Sequence, residues 1–173
     1  IEAMKGDIQD MERMIGGYLE FVRGEGDEAV SFTNLNQLIE KVVTAGRRQG
    51  VEVQSNTPGE VNMMLRPMAF ERCLLNLVNN AGKYANNVWV TMGVTDDKNI
   101  LISVDDDGPG IPKDHHEEVF RPFYRVDTSR NVETGGVGLG LPIAMDIVHA
   151  HGGEIWLEDS PHGGLRVVIK VPL

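Results

Sequence analysis

A single cysteine in 173 residues leaves no partner for an internal disulfide, so packing alone must hold the fold. Cys73 lies in the apolar run Cys73-Leu74-Leu75-Asn76-Leu77-Val78, the setting of a small buried thiol, and cysteine usage this low favours a reducing compartment. Aromatic residues make up only 6%, and 16 Lys and Arg face 26 Asp and Glu, a formal net charge of -10. With no basic stripe interleaved with aromatics, the electrostatic footprint of a nucleic-acid binder is missing. No apolar run approaches the roughly 20 residues of a transmembrane helix. The opening Ile1-Glu2-Ala3 is neither a signal peptide nor an initiator, so the chain reads as an excised piece.

The 41% of hydrophobic residues suffice for one globular domain with a short appendage. Residues 1–23 place Ile1, Met4, Ile8, Met11, Ile15, Tyr18 and Val22 at alternating spacings of three and four. That narrow stripe predicts a helix packing on other helices, as in a coiled coil or dimeric bundle, and Gly16-Gly17 weakens it locally. Residues 24–28 read as a linker. From residue 29 to 173 helices and strands interleave. Strands are expected at 29–32, 51–54 and 61–65, the last two around the turn Asn56-Thr57-Pro58-Gly59. Asn34 is placed to cap a helix carrying Leu35, Leu38, Ile39, Val42 and Val43, and Pro67 to open one that runs to about Tyr84. Residues 88–94 and 100–104 alternate across the charged turn Asp96-Asp97-Lys98-Asn99, a hairpin pattern. A helix near 139–151 and strands at 154–157 and 165–171 complete the chain. The short connections exclude parallel crossovers between adjacent strands, so the fold class is α+β: a two-layer α/β sandwich with a mixed, mainly antiparallel sheet and helices on one face.

An acidic chain that handles a phosphorylated ligand needs local amides, placed cations or a metal. Three segments offer them. In Asn76-Leu77-Val78-Asn79-Asn80-Ala81-Gly82-Lys83-Tyr84, Asn76 and Asn80 share a helical face, with Lys83 and Tyr84 one turn on. Three asparagines in five positions cost helix propensity; a solvated helix end is the alternative to a site. An Asn80 carbonyl oxygen can complete the octahedral shell of a Mg²⁺ held by phosphates, which Lys83 would neutralise.

In the second segment, Asp105-Asp106-Asp107-Gly108-Pro109-Gly110-Ile111, a tight turn follows a strand, and a carboxylate there can accept from an exocyclic amine such as that of adenine. A calcium loop counted from Asp105 fails at its twelfth place, His116; a plain surface turn stays open. In the third, Gly135-Gly136-Val137-Gly138-Leu139-Gly140-Leu141, glycines precede a helix whose N-terminal amides suit an anion. No strand leads into it as a Rossmann loop requires, and no Gly-Lys-Ser/Thr marks a P-loop. Between the second and third segments runs a connection long enough to be a mobile cover, with Phe120 and Phe123 as pins and Arg125 as a phosphate contact. The five histidines, His115, His116, His149, His151 and His162, have no metal-site spacing and read as surface residues.

In this order the segments resemble the ATP-binding catalytic domain of sensor histidine kinases, in the Bergerat-fold superfamily that also holds Hsp90, DNA gyrase B and MutL. The first looks like the N box, Asp106 to Ile111 like the G1 box, Phe120 to Phe123 like the F box, and Gly136 to Leu141 like the G2 box. The wording of the boxes leans toward the kinase branch, near the EnvZ osmosensor type. The resemblance implies ATP and Mg²⁺ as ligands. It implies Asn80 on the metal, Lys83 and Arg125 on phosphates, and Asn76 and Tyr84 in the pocket. Asp106 would hold the adenine amine, with Gly108, Gly110, Ile111 and Phe123 around it, and Gly136, Val137, Gly138, Leu139 and Gly140 would wrap the triphosphate. It further implies a histidine-bearing dimerisation stem, a homodimeric full-length protein, a response-regulator receiver domain as partner, and a cytoplasmic location on an inner-membrane receptor. Residues 1–23 would be the end of that stem.

Hydrolytic relatives carry a glutamate base where this chain has Asn76, an amide that takes no proton at neutral pH. No histidine stands in the phospho-acceptor context, so the chain is expected to bind Mg-ATP without phosphorylating itself. A non-catalytic nucleotide-sensing module and a hydrolytic ATPase are the alternative readings.

Overall fold

The structure, a computed structural model, describes residues 2–23, 28–126 and 138–173; the expected linker up to Asp27 lies outside them. Helix α1 (Glu2–Arg23) comes first, followed by β1 (Ser31–Asn34), α2 (Leu35–Arg48), β2 (Glu52–Asn56), β3 (Asn62–Leu65) and α3 (Pro67–Tyr84). The hairpin β4 (Asn87–Val94) and β5 (Asn99–Asp106) follows, then short 3₁₀ turns at Lys113–His115 and Glu118–Phe120, α4 (Gly140–Ala150), β6 (Glu154–Asp159) and β7 (Leu165–Pro172).

Five strands form the main sheet in the order β2-β4-β5-β7-β6. Only β2 and β4 run parallel; the other neighbours are antiparallel. Strand burial follows the pleat: Val88, Val90 and Met92 of β4 point into the core while Trp89 and Thr91 between them do not. Helices α2, α3 and α4 cover the apolar face. Leu35, Ile39, Val42 and Val43 of α2, Phe70, Leu74 and Val78 of α3 and Ala144 and Val148 of α4 are all buried against it. Each such large side chain contributes about 1.5–3 kcal/mol relative to exposure. Cys73 is fully buried, its Sγ 3.7 Å from the Ala144 carbonyl, and burial pushes the thiol's pKa up. It is an inert core residue, as its sequence setting indicated.

The helix starts have identifiable causes. Asn34 caps α2, its Oδ1 accepting from the Gln37 amide at 2.9 Å. Pro67 opens α3 without a side-chain cap from Arg66. Glu28 supplies one instead from far along the chain: its carboxylate accepts from the amides of Met68 (2.8 Å) and Ala69 (3.0 Å). An anion is favoured at that end of the helix dipole, and the contact moors the chain entering the domain.

Two expectations fail. The first strand begins at Ser31, later than expected, and β2 and β3 form no hairpin across the Asn56–Gly59 turn. Instead β3 pairs with β1 in a separate two-stranded sheet, and β2 takes an edge of the main sheet beside β4. The connection through β3 and α3 is long enough for a parallel pairing, a possibility that the short turn alone conceals. Of the predicted helical stripe, Met4, Ile8, Met11 and Ile15 are 53–68% exposed, so α1 does not bury this face on the domain.

Candidate functional site

A cavity of about 1100 Å³ lies between α3, the turn after β5, the segment Val119–Val126, the start of α4 and α1. From the first motif it takes Asn76, Asn80, Lys83 and Tyr84, as the helical spacing requires, and also Asn79. Two buried amide atoms here, Asn76 Nδ2 and Asn79 Oδ1, have no hydrogen-bond partner among the described residues, a cost expected of a wall that faces a polar ligand. Gly82 is there for packing: a β-carbon on it would come within 2.5 Å of Val51.

Asp106 ends β5 on the cavity wall and is only 6% exposed. Its Oδ1 accepts from the backbone amides of Gly108 (2.9 Å) and Leu165 (3.1 Å). Among the described residues no donor reaches Oδ2, which is left to bind a ligand donor. Burial raises its pKa; the two amides work against that shift, and the neighbouring charges of Asp107 and Asp105 add to it. Gly164 makes the arrangement possible, since a β-carbon on it would lie 2.0 Å from Asp106 Oδ1. Gly108 serves similarly against the Tyr84 carbonyl, at 2.7 Å. Asp107 turns away, its carboxylate accepting from the amides of Asn86 and Asn87 and from the Asn87 side chain.

The ends of the long connection meet. The Phe123 amide donates to the Gly138 carbonyl at 3.0 Å, with Phe123 at φ 66° and Gly138 at φ 75°. A β-carbon on Gly138 would stand 2.8 Å from the Tyr124 carbonyl oxygen, so no other residue fits there without displacing backbone. Phe120 packs on the core, whereas Phe123 is 41% exposed and stands off the cavity wall. Of the two expected pins, Phe120 is therefore the one docked on the core. Beyond the pin, Gly138 to Ile143 line the cavity at the N-terminus of α4, which no side chain caps.

Cations line the cavity despite the acidic chain. Arg13, Lys83 and Arg125 all line the cavity. Partial burial, then Arg125, then Arg13 lower the pKa of Lys83. Of the predicted residues, Gly110, Ile111, Leu139 and Gly140 also line it; Gly108 supports the turn behind; Gly136 and Val137 lie outside the described residues. Arg13, Gln49, Pro142 and Leu165 line the cavity without having been expected there, because none of them is itself one of the asparagine, acidic or glycine residues that make the three motifs stand out.

Three of the histidines expected at the surface, none of them buried, carry side-chain hydrogen bonds. His151 accepts from the Arg66 amide on Nε2 and therefore donates from Nδ1 to the Ile147 carbonyl. His115 bonds the Tyr124 hydroxyl, and His116 the Ile111 carbonyl.

Among the described residues no three His, Cys, Asp or Glu side chains converge on a metal. A Mg²⁺ is nonetheless compatible with the donors present: it typically takes one or two protein oxygens and draws the rest from phosphates and water, and Asn80 and the orphaned Asn79 Oδ1 are oxygens of that kind.

Residues 66–173 match the family described as histidine kinase-, DNA gyrase B-, and HSP90-like ATPase. The chain belongs to this family. Sensor histidine kinase CpxA of Escherichia coli (strain K12) is 37% identical over 180 residues, covering 100% of this chain and 39% of that protein. The chain thus spans about two fifths of the length of this curated relative. The catalytic domain of histidine kinase ThkA superposes with a TM-score of 0.71 at 28% identity, over 83% of this chain and 95% of that one. The histidine kinase domain of the E. coli osmosensor EnvZ gives 0.65 at 30% identity, over 86% and 92%. The family and kinase branch read from the motifs hold, and the two-layer sandwich is the fold of this family's ATP-binding catalytic domains.

Proposed function

We propose that this chain is the catalytic portion of a sensor histidine kinase, presenting Mg-ATP so that the γ-phosphate can pass to a histidine on a dimerisation stem. One observation carries the reading: a single cavity has a buried carboxylate at Asp106, one oxygen of which no donor among the described residues reaches, and a polar helical face with a cation at Asn76, Asn80 and Lys83. The first suits an adenine amine and the second a polyphosphate with its ion. Asp106 fixes the base, Lys83 and Arg125 neutralise phosphate charge, and the α4 N-terminus donates amides to the same anion. Asn80, with Asn79 beside it, would hold Mg²⁺, which supplies charge neutralisation across the phosphate oxygens.

Asn76 lines the cavity as an amide and cannot take a proton from water, which supports transfer to an imidazole over rapid hydrolysis. None of the five histidines stands in the phospho-acceptor context, so the acceptor is assigned to a stem, with α1 as a stem helix entering the domain. A homodimeric receptor exposing this domain to cytoplasmic ATP and passing phosphate to a response-regulator receiver domain follows from the same reading.

Calorimetric titration with a non-hydrolysable ATP analogue, with and without Mg²⁺, tests it. Saturable binding that strengthens with Mg²⁺, weakens in Asn80→Asp and is lost in Asp106→Asn is expected. No heat from the unaltered chain would overturn the proposal, and sustained phosphate release would favour the hydrolytic alternative.

A further inference from the structure

The turn between β6 and β7, residues 160–164, holds one side of Asp106. The Gly164 amide donates to the Asp106 carbonyl at 3.1 Å, and the Leu165 amide donates to Asp106 Oδ1 at 3.1 Å. The seat of this turn therefore sets the rotation of the carboxylate, and with it the direction in which Oδ2 faces. The turn carries two adjacent glycines, Gly163 at φ 98° and Gly164, so its backbone has more conformations open to it than a turn of ordinary residues. Internal bonds give it a shape. The Ser160 amide donates to the Gly164 carbonyl at 2.8 Å, the Gly163 amide to the Ser160 carbonyl at 3.0 Å, and the His162 amide to Ser160 Oγ at 3.1 Å. A side chain then ties that shape to the sheet: the His162 ring lies flat on the Trp89 ring, centroids 3.6 Å apart and planes 8° from parallel. Trp89 stands on β4, on the sheet face that the helices leave uncovered. Because β5 lies between β4 and β7, the stack bridges the end of β5, where Asp106 stands.

We propose that His162 is a positioning residue for base selection: stacked on Trp89, it seats the β6–β7 turn so that the Leu165 amide aims Asp106 at the exocyclic amine of the purine. The inference rests on the nucleotide reading above and goes beyond it, because neither ring lines the cavity and the selectivity for adenine is set in part from outside it. Without the stack the turn takes up other seats, and ordering it again when the base arrives weakens binding by up to the worth of the stack. The link runs around the end of β5 through the turn, not through the sheet. Asp105 and Arg166, paired with each other on the same uncovered face, are not part of it.

The test is titration of the full chain, with Mg²⁺, by ATP and by purine riboside triphosphate, which differs from ATP only in lacking the exocyclic amine. The proteins are the unaltered chain, His162→Ala, His162→Phe and Trp156→Leu. His162→Phe keeps a ring to stack, and like His162→Ala it has no imidazole to titrate, so the difference between the two reports the stack. Trp156→Leu removes the other tryptophan of the uncovered face, whose Nε1 donates to Glu158 and which lies away from the turn's contact with Trp89. His162→Ala should weaken ATP about threefold to tenfold, the size expected of an aromatic stack, and the amine-free triphosphate by less than about twofold. His162→Phe should recover most of the preference, and Trp156→Leu should match the unaltered chain. In the ligand-free protein the Leu165 amide should exchange hydrogen faster in His162→Ala than in His162→Phe. If the unaltered chain binds neither triphosphate, or both alike, the adenine reading of the cavity itself fails. If it prefers ATP and His162→Ala keeps that preference, or His162→Phe does not restore it, or Leu165 exchange is the same in both variants, the role of His162 is overturned while the nucleotide site stands.

Discussion

Asp105 and Asp106, consecutive on β5, serve opposite faces of the sheet. Asp105 is 1% exposed and held by Arg166 through Nε at 2.7 Å and Nη2 at 3.1 Å, while Asp106 faces the cavity. The pleat sends neighbouring side chains to opposite sides, so one structural carboxylate and one ligand carboxylate can share a strand end. Arg166→Ala strands a buried charge and should cost about 2–4 kcal/mol of stability in a denaturant titration, with nucleotide affinity nearly unchanged in the folded fraction. A matching loss of affinity would show that the two faces are not independent.

Asp106 should make binding sensitive to acid at an unusually high pH. Its folded pKa is raised by burial, and the ionised form is the acceptor. As pH falls through that raised value, Asp106 takes up a proton while ordinary carboxylates remain charged, and affinity for the ATP analogue should drop. Stability responds with the opposite sign. Ionised Asp106 costs the empty fold stability above the unfolded-state pKa, with the full cost reached once pH exceeds the raised folded value. Asp106→Asn should therefore melt at or above the temperature of the unaltered chain while failing to bind. A clear drop in melting temperature would show instead that the carboxylate is structural.

Lys83 gives a complementary expectation. Burial and two neighbouring cations lower its pKa, so below that folded value its charged form costs the empty fold stability. A bound polyphosphate reverses the environment and draws the proton back. Lys83→Ala should leave the empty protein as stable or slightly more so, and weaken ATP-analogue binding roughly tenfold to a hundredfold, the worth of a charge-assisted hydrogen bond. Calorimetry in buffers of different ionisation enthalpy, just above the lowered pKa, should detect proton uptake on binding that Lys83→Ala abolishes.

Gly138→Ala places a methyl against the Tyr124 carbonyl and forces alanine to positive φ, at about 1–2 kcal/mol for the conformation alone. Hydrogen exchange of the Phe123 amide should accelerate as its bond to the Gly138 carbonyl loosens, with a larger effect on nucleotide affinity than on the melting of the sheet. Unchanged exchange at Phe123 would place that amide's protection elsewhere.

Features carried by local chemistry were readable in advance. The Asn34 cap, Pro67 at the start of α3, the β4–β5 hairpin and the asparagine spacing on α3 each follow from residues a few positions apart. The β2–β4 pairing was not, because Glu52 and Asn87 meet across a whole helix and no local periodicity records which edge a strand will find. The same limit applied at the site. Asn76, Lys83, Asp106 and Gly138 announce themselves by being wrong for a core, whereas Arg13, Gln49 and Leu165 become wall residues only through tertiary placement. Glu28 is a similar case: an acidic linker residue by composition, it caps a helix forty positions on.

The bond from Phe123 to Gly138 brings two distant points of the chain together at the foot of everything between them. Neither of the two residues belongs to a strand, and Tyr124 and Arg125 next to Phe123 line the cavity, so altering this one contact re-aims part of the cavity wall while the register of the β-sheet stays as it is.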